Sequence, residues 1–391
     1  MSSGVLVCRG SKLAEIISSI FAGDSLLIGT ILPFLFVLTV VVFVHEMGHY
    51  LVGRWCGIGV KAFSIGFGPE LIGFNDRHGT RWRLSAIPLG GYVKFVGDMN
   101  ATSEPDPDAV KRLPESERRI AFHTQPVWKR AATVFAGPLF NFLLTIAVFA
   151  VMFTLYGRVV SEPMVAEVRP DSPAASAGFQ PGDRFVSVNG SHVDTFADVQ
   201  RIVSGRAGDP ITFVVLRNGT EVTLTATPEV IEQKDALGNT IKTGVIGVVN
   251  NSEMGQPRLI TYGPMEAVGQ ALRETGYIVE RTGQFLSRFA VGREDKCQLG
   301  GPVKIAEMAG KAAGLGFEWL VQLVALLSVG IGILNLLPIP PLDGGHLLFY
   351  GIEAVIRRPV SERTMEAVYR AGLLLVLVFM GFVFWNDLFG C

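Results

Sequence analysis

The chain has 391 residues, 49% of them hydrophobic, and a mean hydropathy of +0.39, which is too apolar for an ordinary water-soluble protein. Its 45 glycines and long polar middle exclude a plain bundle of membrane helices, so membrane and aqueous parts are expected in one polypeptide. A net charge of −1 without a concentrated basic face argues against nucleic acid as a partner.

Arg9 and Lys12 precede an apolar run too long for the core of a cleavable signal, so residues 1–25 are expected to remain as an N-terminal extracytoplasmic segment. Four stretches reach the roughly 20 apolar residues a helix needs to cross a bilayer: 26–51, 131–156, 320–337 and 371–389. The loop between the first two carries Arg54, Lys61, Arg77, Arg81, Arg83 and further cations, and that between the last two carries Arg357, Arg358, Arg363 and Arg370. The positive-inside rule puts both loops in the cytoplasm, and the middle of the chain and both termini outside it.

The first span closes on His45-Glu46-Met47-Gly48-His49. Ionisable side chains are costly in an apolar span and mark function there. Histidines four apart share one helix face, so two imidazoles can reach one metal ion, with Glu46 beside them as general base. Four widely spaced cysteines, Cys8, Cys56, Cys297 and Cys391, form no C-x-x-C pair and offer no thiolate cluster instead.

Strand-like runs follow at 62–67, 81–87 and 92–96, punctuated by His78-Gly79 and Gly90-Gly91, and predict β-hairpins beside the histidine helix. Residues 100–114, rich in Pro, Asp, Glu and Ser, predict a mobile cytoplasmic loop. Residues 26–156 thus form a first membrane half.

Over 157–230 the pattern turns to short strands at 164–168, 184–188, 211–216 and 221–226, with a helix at 196–203. Ser172-Pro173-Ala174-Ala175-Ser176-Ala177-Gly178-Phe179, then Pro181-Gly182-Asp183 and Val188-Asn189-Gly190, resemble the PDZ domains of bacterial proteases. One such domain is visible. Residues 157–164 lack a Gly-Leu-Gly-Phe carboxylate-binding loop, so a small scaffold with no ligand stands beside capture of a peptide or unfolded segment, for which strand addition at a sheet edge is the mechanism. Residues 231–319 read as an extracytoplasmic region with a strand at 243–249 and an amphipathic helix at 265–286 suited to the membrane face.

The second membrane half, 320–391, supplies the third ligand candidate. The first and third spans run in the same direction, so the histidine end of one and the Leu334-Asn335 end of the other lie at the same depth. Asp343, in Asn335-Leu336-Leu337-Pro338-Ile339-Pro340-Pro341-Leu342-Asp343-Gly344-Gly345-His346, follows a proline-broken stretch that membrane depth tolerates only in protein or beside a wet cavity. A third protein ligand leaves the fourth zinc position open, as hydrolases require. An ordinary helix-start aspartate is the competing reading. His346 suits a supporting role better than a ligand's, His78, His123 and His192 read as surface residues, and Asn141 as an interhelical hydrogen-bonding group.

The His45 to His49 motif, Gly137-Pro138 with Asn141, the PDZ-like middle, Gly300-Gly301-Pro302-Val303-Lys304-Ile305-Ala306, and Asn335 through His346 together resemble the site-2 protease family, in its bacterial branch that regulates sigma-E. The resemblance spans nearly the whole chain. It implies Zn2+ held by His45, His49 and Asp343, and Glu46 as general base. It implies that the hairpin region, through Gly90, Gly91, Tyr92 and Val93, pairs with an unwound substrate that Asn335 also helps bind.

The expected fold is a polytopic α-helical membrane protein of about four transmembrane helices, with membrane-associated β-hairpins and one extracytoplasmic PDZ-like α+β domain. The expected function is intramembrane zinc endopeptidase of the bacterial inner membrane, with the PDZ-like domain in the periplasm and the active site near the cytoplasmic side. Its substrate would be a single-pass membrane protein such as an anti-sigma factor in an envelope stress response, or a remnant signal peptide. The other class of function, a scaffold or chaperone for exported polypeptides with a structural metal, fits poorly with Glu46, since a closed structural site needs no base.

Overall fold

The computed structural model describes residues 27–98, 113–234, 240–250, 258–292, 299–358 and 360–390; the N-terminal segment 1–25 and most of the loop expected at 100–114 lie outside them. The chain divides into two compact units, one of Met1–Phe149, Ala271–Thr282 and Phe289–Cys391, the other of Ala150–Gln270 and Gly283–Arg288.

Among the described residues four helices are long and apolar enough to cross a membrane, over Ile28–Trp55, Val127–Leu155, Phe317–Leu336 and Arg363–Phe389. Helix α1 (Leu32–Trp55) starts with a proline in its first turn, where the missing N–H costs nothing, and buries Val37, Val41, His45, His49 and Gly53, a stripe at four-residue spacing. The histidines therefore lie on the face of α1 that packs inward.

Next come strands β1 (Val60–Asn75) and β2 (Arg81–Phe95), each long and bent enough to pair with the other more than once. Val60 lies opposite Phe95 and Ile65 opposite Gly91; in a second register Ala62 lies opposite Arg81 and Ile65 opposite Leu84; beyond the bend Ile72 lies opposite Leu84 and Asn75 opposite Arg81. Segment 91–95 is left at an edge, with β1 on one side and no described strand on the other.

The turn joining β1 to β2 is built around Asp76. Its carboxylate accepts hydrogen bonds from the backbone N–H of His78 (2.8 Å) and Thr80 (2.9 Å), from Trp82 Nε1 (3.1 Å) and from the Tyr50 hydroxyl (2.9 Å). Burial raises its pKa, but these donors outweigh burial and hold the carboxyl well below the usual carboxylate range. Tyr50 belongs to α1, so the turn is tied to the residue after His49. Trp82 stacks on Phe63 (4.3 Å between centroids), and Tyr50 meets both rings edge-on.

Helix α2 (Val127–Leu155) follows. Toward the C-terminus come α6 (Pro302–Leu315), α7 (Phe317–Leu336), α8 (Asp343–Ile356) and α9 (Glu362–Trp385), after the intervening elements of the second unit. Between membrane helices hydrogen bonds replace hydrophobic drive. Thr145 of α2 donates to the Ala325 carbonyl of α7 (2.9 Å), and Ser328 of α7 donates to the Asn141 carbonyl of α2 (3.0 Å). Asp387, just past α9, accepts from the N–H groups of Gly301, Val303 and Lys304 and so caps α6. Tyr50, Val60, Phe63, Val93, Phe95, Phe122, Val134 and Tyr350 form the buried core joining α1, the sheet, α2 and α8.

The second unit is α+β. Strands β5 (Arg184–Val188), β6 (Ser191–His192), β7 (Ile211–Arg217) and β8 (Thr220–Ala226) form an antiparallel sheet in the order β6-β5-β7-β8. Shorter pairs are β3 (Arg158–Val160) with β12 (Arg258–Ile260), β4 (Glu167–Val168) with β11 (Val248–Val249), and β9 (Glu229–Lys234) with β10 (Thr240–Val245). The strand expected at 243–249 is thus divided between β10 and β11.

Helix α3 (Pro173–Ala177) has Ser172 as N-cap, proline in its first turn and left-handed Gly178 (φ +82°) as C-cap; α4 (Phe196–Ser204) opens with a Thr195–Asp198 capping box. Phe185, Phe213, Ile211, Val188 and Val215 fill the core, each worth about 1.5–3 kcal/mol when fully buried. The fully buried Asp183 carboxylate is answered by Arg217 through two 2.7 Å hydrogen bonds. Helix α5 (Pro264–Ala290) is the amphipathic helix expected at 265–286.

Candidate metal centre

Three side chains from two distant helices converge. His45 Nε2 lies 3.2 Å from His49 Nε2 and 3.1 Å from Asp343 Oδ2, and His49 Nε2 lies 3.5 Å from the same oxygen. Tetrahedral bonds of about 2.0–2.1 Å to zinc set ligand atoms about 3.3–3.4 Å apart, so this triangle has the size that Zn2+ requires. The chemistry of the donors agrees: two imidazole nitrogens and a carboxylate oxygen face one point, and the buried Asp343 Oδ2 has no hydrogen-bond donor. A cation answers all three lone pairs at once. Asp343 is the first residue of α8, but its carboxylate is turned to the histidines rather than to the helix's own N–H groups.

Helix α2 supports the histidines from behind. His49 Nδ1 lies 2.9 Å from the Thr133 carbonyl, which fixes its proton on Nδ1 and leaves Nε2 for a metal. Asn141 is fully buried, its carboxamide Nδ2 lies 3.2 Å from His45 Nδ1, and its Oδ1 has no partner. With Nε2 given to a metal, Nδ1 of His45 carries the ring proton and needs an acceptor. A half-turn of the Asn141 carboxamide supplies one and pairs the orphaned oxygen. Gly137 makes room: a Cβ there would lie 2.2 Å from His49 Nε2 and 2.9 Å from His45 Cε1.

Glu46 projects toward the edge segment of β2, beside Gly91 and Val93. Gly91 approaches the same region, with a Cβ placed there 3.2 Å from Glu46 Cγ and 2.9 Å from Val42 Cγ1. Gly90 is left-handed (φ +108°) and turns the chain into this edge. Tyr92 faces away from α1, stacked on Phe67 (5.9 Å) under the Arg83 guanidinium (5.1 Å). Asn335 lies half-buried in the last turn of α7.

Among the other histidines, His346 is hydrogen-bonded to the Tyr369 hydroxyl (2.7 Å) and stands outside the ligand group. His123 is not the surface residue expected from sequence. Its Nε2 lies 3.1 Å from Oδ1 of Asp98, whose side chain is fully buried, because the 122–124 turn folds under the end of β2. In the second unit a groove of ≈ 490 Å³ runs between α4, through Phe196, Val199 and Val203, and residues 243–248, with Arg169 at its rim.

The model of peptidase family M50 matches residues 33–379. A protein of Mesorhizobium japonicum described as a zinc metalloprotease is 80% identical over 93% of this chain and all of its own length. One of Brucella suis, so described too, is 65% identical over 97% of this chain and all of its own length. Metalloprotease MmpA of Caulobacter vibrioides is 41% identical over 90% of this chain and 94% of its own. A PDZ domain of an SdrC-like protein from Listeria monocytogenes, 18% identical, aligns with 23% of this chain and 86% of that domain at a TM-score of 0.18. With a family match across nearly the whole sequence, and relatives matched end to end, the chain belongs to peptidase family M50, the site-2 protease family of zinc metalloproteases.

Proposed function

We propose that this chain is an intramembrane zinc endopeptidase that cuts single-pass membrane proteins, with His45, His49 and Asp343 as metal ligands and Glu46 as general base. The observation that carries the reading is the triangle of ligand atoms at 3.1–3.5 Å, drawn from two apolar helices, with Glu46 beside it and a sheet edge with no further described strand next to Glu46. Zinc, when bound, polarises the scissile carbonyl and brings the pKa of a water ligand toward neutrality. Glu46 accepts the proton of the attacking water and returns it to the leaving amine. Thr133 and Asn141 hold both imidazoles with Nε2 forward, so little reorganisation accompanies turnover.

A transmembrane substrate hides its carbonyls in helical hydrogen bonds and must open before it can be cut. Segment 91–95 lies at the sheet edge beside Glu46, and an extended substrate segment adding to that edge would lie against Glu46. Asn335, at the end of α7, is placed in the same role of binding the opened segment. The apolar side chains exposed on the β1–β2 sheet, among them Leu71 (64%), Ile72 (69%) and Phe74 (60%), suit a sheet that dips into lipid. Helix-weak segments are the preferred substrates on this account.

Residues 157–230 act as a periplasmic PDZ-like domain, on an inner-membrane protein whose metal site lies near the cytoplasm. The groove favours a peptide ligand. It ends at Val245-Ile246-Gly247-Val248, an apolar-Gly-apolar run of the kind that binds a chain terminus, far downstream of residues 157–164. An anti-sigma factor trimmed outside the membrane would supply such a terminus, in an envelope stress response; remnant signal peptides are the second substrate class. The test is cleavage of a single-pass substrate by the purified protein in bilayers. Glu46→Gln is expected to keep its zinc and lose at least about 100-fold in rate. Cleavage at the parent rate by a zinc-loaded Glu46→Gln protein overturns the mechanism.

A further inference from the structure

We propose that Arg130 and Glu353 are positioning residues, forming a strut that sets the spacing between the histidine pair and Asp343; this rests on the metal reading above. Arg130 Nη2 lies 2.7 Å from Glu353 Oε1 across 223 residues of chain, with side chains 12% and 17% exposed. The guanidinium is fixed twice more: it lies over the buried Tyr350 ring at 4.9 Å, and its Nε donates to the Gln125 carbonyl at 3.0 Å.

The placement of these residues gives the strut its meaning. Arg130 lies in the first turn of α2, one turn before Thr133, on the helix that orients His49 through Thr133, orients His45 through Asn141 and clears space at Gly137. Tyr350 and Glu353 lie two and nearly three turns after Asp343 on α8, Glu353 about 15 Å of rise away. The pair therefore joins the helix that aims the imidazoles to the helix that delivers the carboxylate, one turn from Thr133 on α2 and at the end of α8 remote from Asp343. Asp343 reaches the histidines from a rigid helix, so a small tilt or slide of α8 against α2 changes the ligand triangle directly.

Stability alone does not account for such a pair. Removing two charges from water costs several kcal/mol, and apolar residues of similar volume often replace a buried pair with no loss. What apolar residues lack is a preferred register, whereas a guanidinium locked onto one carboxylate and one ring face permits a single relative position of α2 and α8.

The test uses the full chain in detergent micelles, with zinc affinity read by chelator competition and thermal unfolding of the metal-free protein read alongside. The Arg130→Met, Glu353→Met double variant is expected to unfold at or above the parent temperature, yet to bind zinc about 10- to 100-fold more weakly. Parent-like zinc affinity in this double variant overturns the proposal. If the double variant does not fold, Glu353→Gln decides: it keeps the shape and loses the charge, and an affinity loss of about threefold or more is expected, unchanged affinity being the contrary result. His45→Ala runs in parallel. Zinc affinity unaffected by His45→Ala overturns the metal reading, and the strut with it, whereas affinity lost in His45→Ala but retained in both strut variants overturns the strut alone.

Discussion

Gly137 and Asn141 bear on the metal site as directly as its ligands. A methyl group at 137 would lie 2.2 Å from His49 Nε2, too close for the imidazole to stay where it is. Gly137→Ala is therefore expected to abolish zinc binding at micromolar metal while the helices remain folded, as zinc analysis and circular dichroism together would show; a zinc-loaded Gly137→Ala protein contradicts the geometry. Asn141→Leu removes the acceptor for His45 Nδ1–H and is expected to weaken zinc binding about 10- to 100-fold. Asn141→Asp keeps an acceptor and should stay within a few-fold of the parent. Equal losses in both variants would show that Asn141 only fills space.

The grouping of His45 with His49 is legible in the sequence because helical periodicity alone brings residues four apart together, and Asp343 because charge at membrane depth is conspicuous. Thr133 left no trace, since it acts through a backbone carbonyl that any residue would supply. His123 was misread because its partner, Asp98, is buried only once the end of β2 folds over the 122–124 turn.

At the scale of elements, the Asp76 turn sets the orientation of the β1–β2 sheet against α1. Its carboxyl is held below the ordinary aspartate pKa of about 3.9, so its contribution is fully present above about pH 4 and is lost only as pH falls through the lower folded value. Hydrogen-exchange protection over residues 76–84 is expected to hold from pH 7 down to pH 4 in the parent. In Asp76→Ala, which strands the Tyr50 hydroxyl and Trp82 Nε1, protection should already be lost at pH 7. Protection that survives Asp76→Ala would remove the turn from this role.

The three strand-like runs read from the sequence emerge as two long strands, because 81–87 and 92–96 join in β2, which bends at left-handed Gly90 without ending, while left-handed Gly66 and Gly68 bend β1 on to Asn75. Alternation marks which residues are extended but cannot tell a bend from a turn. Helix α4 and the α3 cap were plain from Thr195, Asp198, Ser172 and Gly178, whose signals are local. The β4–β11 pairing joins residues 80 positions apart and has no such signal.

For the whole molecule, the four apolar spans fall where hydropathy put them, since lipid rewards apolar surface whichever way it faces; Leu373, Leu374, Leu377 and Val378 of α9 all remain exposed. Polar contacts between helices include Thr145 and Ser328 between α2 and α7, Arg130–Glu353 between α2 and α8, and Asp387 on the start of α6, and none of these pairings is deducible without the fold. One metal ion shared between the first span and the helix after the third is what would join the two membrane halves in a single site. X-ray absorption at the zinc edge of the full chain measures this most directly. One zinc per chain is expected, bound by two imidazole nitrogens and otherwise oxygen at about 2.0–2.1 Å, with binding lost in Asp343→Ala. Sulfur in the coordination shell, or an unchanged spectrum in Asp343→Ala, would contradict it.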